Sequence, residues 1–260
     1  MADRPFSGLF ITGTDTGVGK TVVTAGIASV LRETGVDIGV WKPVQSGARA
    51  HDEGSDAMCL RAWSGVTDAC EEIAPLCFEA PLTPFLAAEA EGKSLTMEEV
   101  IACGRPLMER YPALLVEGAG GLLVPLTPTE TMADLAARLN LPMLIVARAG
   151  LGTINHTLLT VWYARELGIE VAGVILNQNN SAGVSDESVK TNASMIESYG
   201  GVPVWGVLPW IDQPLGRQQL TRLIHECVTS DSCVSGAINK KKERRENEAK
   251  HLSGLEGIRS

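Results

Sequence analysis

The sequence predicts an α/β three-layer sandwich built on a mostly parallel sheet, and three observations carry that expectation. Apolar runs rich in Val, Ile and Leu recur without alternating with polar residues, as strands buried on both faces do. Helical patterns separate the runs, which is the βαβα alternation of a sheet covered on both sides. Several runs end in polar, glycine-rich turns, and a parallel sheet gathers such strand ends along one edge, where ligands bind.

The expected strands, in order, are Leu9–Thr12, Ile38–Lys42, Leu114–Glu117, Met143–Ala147, Ala172–Asn177 and Val204–Leu208. The expected helices are Thr21–Thr34, Thr96–Arg110, Met132–Leu139, Thr153–Leu167, Asp186–Tyr199 and Gly216–Val228. Asp56, in an acidic loop, opens a further helix. The turns at strand ends are Lys42–Gly47, Glu117–Gly121, Arg148–Thr153 and Asn177–Asn180. Strand order does not follow from these patterns.

The first turn is the most specific. Residues Gly13 to Thr21 read Gly-Thr-Asp-Thr-Gly-Val-Gly-Lys-Thr between a strand and a helix, the context of a phosphate-binding P-loop. Backbone N–H groups of such a loop ring a polyphosphate. Lys20 reaches the β- and γ-phosphates in this pattern, and the Thr21 hydroxyl holds Mg²⁺. A standard spacing puts glycine at position 14, where this chain has Thr14, so the loop is one residue longer. The fold expectation thus sharpens to the P-loop NTPase type, with a nucleoside triphosphate as ligand.

Composition narrows the partners. Of 260 residues 45% are hydrophobic and 20% charged, ordinary for a globular core. The net charge of −9 argues against nucleic acid or an anionic membrane as main partner. No uncharged apolar stretch of about eighteen residues exists, and the N-terminus lacks a signal peptide's apolar region, so a cytoplasmic protein is expected. Cys59, Cys70, Cys77, Cys103, Cys227 and Cys233 form no Cys-x-x-Cys pair and read as idle thiols in a reducing compartment. Residues 1–233 are expected to form one P-loop α/β domain. Residues 234–260, with the mixed charges of Lys240–Lys250, are expected to be a solvated tail.

Other residues have two readings each. Lys42, at a strand end before Pro43, is either aimed at the ligand edge or a surface lysine. Ser46 either donates to an anion or satisfies its own turn. Asp56 is either a helix cap or a Mg²⁺ ligand. Glu117 closes an apolar strand, where a carboxylate needs a cation; with Thr21 and Asp56 it makes an oxygen set suited to Mg²⁺. Gly152, Thr153, Ile154 and Asn155 open a helix whose free N–H groups suit a second anion, or are an ordinary capped start. Asn177 either reads a base edge or forms a turn. His156 is given no role.

Together the P-loop, Lys42-Pro-Val-Gln-Ser-Gly47, Val116-Glu-Gly-Ala-Gly-Gly121, Gly150-Leu-Gly-Thr-Ile-Asn-His156 and Leu208-Pro-Trp210 resemble the dethiobiotin synthetase family, from about residue 8 to about 228. Members of that family make dethiobiotin, ADP and phosphate from 7,8-diaminononanoate, CO₂ and ATP, the penultimate step of biotin synthesis. The resemblance implies Lys42, Lys20 and Thr16 as catalytic residues and Thr21, Asp56 and Glu117 as Mg²⁺ ligands. It implies nucleotide contacts at Gly17, Val18, Gly19, Lys20, Thr21, Val22, Gly118, Ala119 and Gly120. Further ones fall at Asn177, Gln178, Pro209, Trp210 and Ile211. Ser46 matches a substrate contact. Gly152 to Asn155 match a helix start that binds the substrate carboxylate from the partner subunit of a homodimer. Gly17 departs from members that carry Glu there, and the charged tail has no counterpart.

Two other classes share a related loop. Amidoligases of the cobyrinic acid diamide synthase type add a glutaminase domain, for which 260 residues leave little room. Switch ATPases of the ParA/MinD type carry a second lysine early in the loop, where this chain has Thr14, Asp15 and Thr16.

Overall fold

A computed structural model describes residues 6–179, 186–211, 216–228 and 236–238. Six strands form one sheet in which every pair is parallel: β1 (Ser7–Gly13), β2 (Ile38–Trp41), β5 (Ala113–Gly121), β6 (Met143–Arg148), β7 (Val171–Asn177) and β8 (Val204–Leu208). Their order is β2-β5-β1-β6-β7-β8, so the first strand lies inside the sheet between two strands from the middle of the chain. A second sheet pairs β3 (Val44–Ser46) with β4 (Leu76–Phe78).

The pleat sorts each strand between two cores. On one face Phe10, Leu114, Val116 and Ile145 pack with α5 (Met97–Arg110), α6 (Met132–Leu139), α7 (Thr153–Glu166) and α8 (Val189–Gly200). On the other face Leu9, Ile11, Leu115 and Leu144 pack with α1 (Lys20–Glu33), α2 (Asp56–Ser64) and α9 (Arg217–Cys227). Two short helices, α3 (Cys70–Ile73) and α4 (Pro84–Ala90), border the small sheet. This is the expected three-layer α/β sandwich.

Three local expectations change. The segment expected as a turn at Lys42–Gly47 contains β3, too short for any periodicity. Glu117–Gly121 is not a turn: β5 runs through it, and Gly121 pairs with Gly13 after a register shift. The core also passes the boundary expected at 234, because Ile238 is 5% exposed and belongs to the cluster under α1 and α9. Most of the expected tail, Asn180 and Cys233 lie outside the described residues.

Candidate active site

β1 delivers the loop. Thr14 N–H still donates to the Val146 carbonyl at 3.0 Å, so the chain leaves the sheet only after β1 is anchored to β6. The loop then turns through Gly17 (φ 72°) and Gly19 (φ 98°), left-handed conformations that favour glycine. α1 starts at Lys20, whose Nζ donates back to the Asp15 carbonyl at 3.2 Å. Burial first, and the neighbouring Lys42 next, pull the Lys20 ammonium down to about 8, against the opposing pull of Glu117, Asp56 and Asp15.

One residue on, Thr21 Oγ1 lies 2.9 Å from Asp56 Oδ1 and 2.9 Å from Glu117 Oε1. Asp56 is the first residue of α2 and not its cap; Ser55 caps, its hydroxyl accepting from Met58 N–H at 3.2 Å. Glu117 stands in β5, fully buried. Lys42, one residue past β2 and 3% exposed, pairs with Asp56 and donates to Glu117 Oε1 at 2.7 Å. Burial alone would lower the Lys42 ammonium, but Glu117 and Asp56 outweigh it and hold it well above the ordinary lysine value. Burial likewise pushes the Asp56 carboxyl up, and Lys42, the Thr21 hydrogen bond and Lys20 outweigh that and hold it low. Of the two readings of Lys42, the inward one holds.

The oxygen set fits a hard divalent cation. A hydroxyl has one proton, so Thr21 can donate to only one of its two carboxylates. Glu117 Oε2 is buried without a hydrogen-bond partner. Two carboxylates, one of them with an unsatisfied buried oxygen, and a hydroxyl are donors that Mg²⁺ takes alongside water and phosphate.

These groups line one end of a cavity of about 820 Å³. Thr16, Gly17, Gly19, Lys20, Thr21, Val22, Lys42, Ser46, Asp56, Glu117, Ala119 and Gly120 all reach it. Pro81, Leu82, Pro84, Leu86 and Val124 form an apolar wall that sequence reading missed, because it comes from turns and a short helix without periodic pattern.

The other expected residues lie elsewhere. Val18 is behind the loop, its carbonyl accepting from Asn177 Nδ2 at 3.0 Å. Gly118 does not line the cavity; it packs on Phe10 and Met132, where an added Cβ would lie 3.2 Å from each. Asn177 and Gln178 meet the segment Pro209–Trp210–Ile211 next to the loop, and Gln178 Oε1 accepts from Trp210 N–H at 3.1 Å. Gly152, Thr153, Ile154 and Asn155 do not line the cavity of their own chain. Thr153 is fully buried and its hydroxyl is 3.4 Å from that of Thr157, while Gly152 and Asn155 are exposed and Ile154 is half-buried. His156 Nδ1 lies 3.1 Å from Arg148 Nη2.

A parallel sheet with a glycine loop between its central strand and a Lys-Thr helix start defines a P-loop protein of the nucleoside-triphosphate-binding class. A family model described as an AAA domain matches residues 7–217. The ATP-dependent dethiobiotin synthetase BioD of Bacillus subtilis subsp. natto is 47% identical over 202 residues, 78% of this chain and 87% of its own. The protein of the same name from Anaeromyxobacter dehalogenans is 49% identical over 203 residues, 78% of this chain and 90% of its own. That of Bacillus licheniformis is 42% identical and covers 89% of this chain and 96% of its own. Among solved structures, the Pyrococcus furiosus cell division ATPase MinD is similar at 15% identity, over 85% of this chain and 98% of its own, with a TM-score of 0.47. The chain belongs to the ATP-dependent dethiobiotin synthetase family.

Proposed function

We propose that this protein closes the ureido ring of dethiobiotin from 7,8-diaminononanoate, CO₂ and ATP. It is an ATP-dependent ligase of biotin biosynthesis, as its family membership indicates. The observation that carries the residue assignment is that Lys20, Lys42, Asp56 and Glu117 all line one cavity, with Lys42 paired to both carboxylates.

The chemistry needs that arrangement. One substrate amine adds to CO₂ and gives up a proton to water, leaving a carbamate. A carbamate oxygen attacks the γ-phosphorus, the bond to ADP breaks, and a carbamic-phosphoric anhydride forms. The second amine attacks the carbonyl carbon, phosphate leaves, and the amine proton passes to phosphate or water. Carbamate and phosphoryl group are both anionic, so Lys20 and Lys42 stabilise charge that grows as they meet, and the loop positions them. Thr21, Asp56 and Glu117 would hold Mg²⁺, which supplies further positive charge to the phosphates. No side-chain nucleophile is required. Ser46 and the apolar wall are assigned to the substrate, whose chain is aliphatic. Asn177, Gln178 and the segment 209–211 are assigned to the base.

The working unit in this proposal is a homodimer in the cytoplasm. The N–H groups of Ile154 and Asn155 find no backbone acceptor among the described residues, and their helix start is absent from the chain's own cavity. Leu151, in the turn just before that helix, and Leu159 and Trp162 within it are 81%, 56% and 60% exposed and suit burial against a second copy. The catalytic domain in this proposal reaches Ile238, and the charged segment that follows takes no part in catalysis.

ATP turnover measured with and without diaminononanoate and bicarbonate tests the function. Dethiobiotin formed in step with ADP is the expected result. Hydrolysis indifferent to both substrates would refute it.

A further inference from the structure

Asn177, assigned above to the base, and Asn179, so far without a role, are both bonded to the phosphate loop. Asn177, the last residue of β7, donates from Nδ2 to the Val18 carbonyl at 3.0 Å. Asn179 donates from Nδ2 to the Gly17 carbonyl at 3.1 Å. The acceptors are consecutive carbonyls. The donors are two residues apart, the spacing that puts side chains on one side of an extended segment. β6 lies between β1 and β7 in the sheet, so the contacts reach over the end of a strand.

We infer that Asn177 and Asn179 form a clasp that aims the N–H groups of the extended phosphate loop, a positioning role distinct from contact with the base. The inference rests on the nucleotide site proposed above. A trans peptide is planar, with C=O and N–H pointing in opposite directions. The Val18 carbonyl shares its peptide with Gly19 N–H, and the Gly17 carbonyl shares its peptide with Val18 N–H. Holding both oxygens on the outside therefore turns both N–H groups toward the loop interior, where a polyphosphate sits. A loop one residue longer than the standard spacing, with left-handed glycines at 17 and 19, has more backbone freedom to remove. Gly19 also makes room for the clasp: a Cβ there would lie 2.2 Å from Asn177 Nδ2.

Inorganic tripolyphosphate, which has no base, separates a clasp from a base reader. Its affinity and that of ATP are measured by calorimetry on the full chain and on Asn177→Ala, Asn179→Ala and the double variant, with thermal midpoints alongside. Asn179 is exposed, so its variant reads the clasp even where Asn177→Ala fails to fold. The clasp requires Asn179→Ala to weaken both ligands by the same factor, about fivefold for one hydrogen bond, at an unchanged thermal midpoint. ATP weakened with tripolyphosphate untouched would make the asparagines base readers and overturn the clasp, as would no change in either ligand. Wild-type protein that binds ATP but not tripolyphosphate would also overturn it, since affinity would not reside in the loop. Wild-type protein that binds neither would sink the nucleotide site and the clasp with it.

Discussion

Lys42 Nζ, just past the end of β2, and Glu117 Oε1, in the middle of the neighbouring β5, stand 2.7 Å apart with both side chains buried. The ion pair ties the end of β2 to β5, and it keeps a cation beside the phosphate loop before any ligand arrives. Removing one partner strands the other's charge in a dry setting, which is more damaging than losing a surface pair.

Replacing Lys42 with methionine keeps the stem and removes the charge. Dethiobiotin formation should fall on the order of 10³-fold if electrostatic stabilisation dominates. ATP affinity, measured separately by calorimetry, should change little. Loss of affinity with turnover per bound ATP preserved would reassign Lys42 to the nucleotide.

Glu117→Gln is isosteric and substitutes a poorer ligand for a hard cation. The Mg²⁺ concentration for half-maximal activity should rise on the order of tenfold or more. An unchanged Mg²⁺ titration would leave Glu117 as the counter-ion of Lys42 alone.

Far from the site, Tyr111 donates its hydroxyl to the buried Asp68 carboxylate at 2.6 Å. Burial, and then that bond, push the phenol up to about 12 from an ordinary 10. A raised pKa means the folded state holds the proton more tightly. The contribution is therefore complete below pH 10 and lost as pH climbs through about 12. Tyr111→Phe should lower stability by about 1–2 kcal/mol at neutral pH. Urea midpoints should also show a smaller further loss on going to alkaline pH than in wild type. Equal alkaline losses in the two proteins would contradict the assignment.

The shared-site dimer predicts complementation. Asn155→Glu puts an acid at the exposed helix start and should raise KM for the diamino acid while sparing nucleotide binding. Mixed one to one with Lys42→Met and allowed to exchange subunits, it should recover about a quarter of wild-type activity. Half the dimers are then mixed, and one of their two sites combines both intact residues. No recovery after proven exchange would put both residues in one chain's site.

Truncation should separate core from extension. A chain ending at Ile238 keeps the burial of that side chain; one ending at Cys233 loses it and should be less stable by about 2 kcal/mol in denaturant midpoints. Equal midpoints would return Ile238 to the solvated segment.

What was legible in the sequence follows the range of the forces involved. The six main strands are apolar runs whose signal is local, and Val204–Leu208 falls where expected. β3 and β4 have three residues each, below any usable period. The order of strands depends on pairings such as Ile38 with Ala113, which nothing local encodes. At the site, the Gly-Lys-Thr run fixed its own geometry, and Lys42 kept two readings until Glu117 was seen opposite it. Thr153 belongs to a helix start whose free N–H groups the sequence shows, but a helix start says nothing about which way a side chain turns. Its burial against Thr157 decided that.

The strand order has a consequence for birth at the ribosome. Among the described residues β1 pairs only with β5 and β6, and β2 only with β5. Until Ala113 emerges, neither early strand has a partner in the main sheet, and the phosphate loop hangs from an unsupported edge. At roughly 5–20 residues per second, the span from Trp41 to Ala113 takes several seconds to synthesise. For that interval the apolar segments of β1 and β2 stay unprotected, and nucleotide can assist folding only once β5 has joined them.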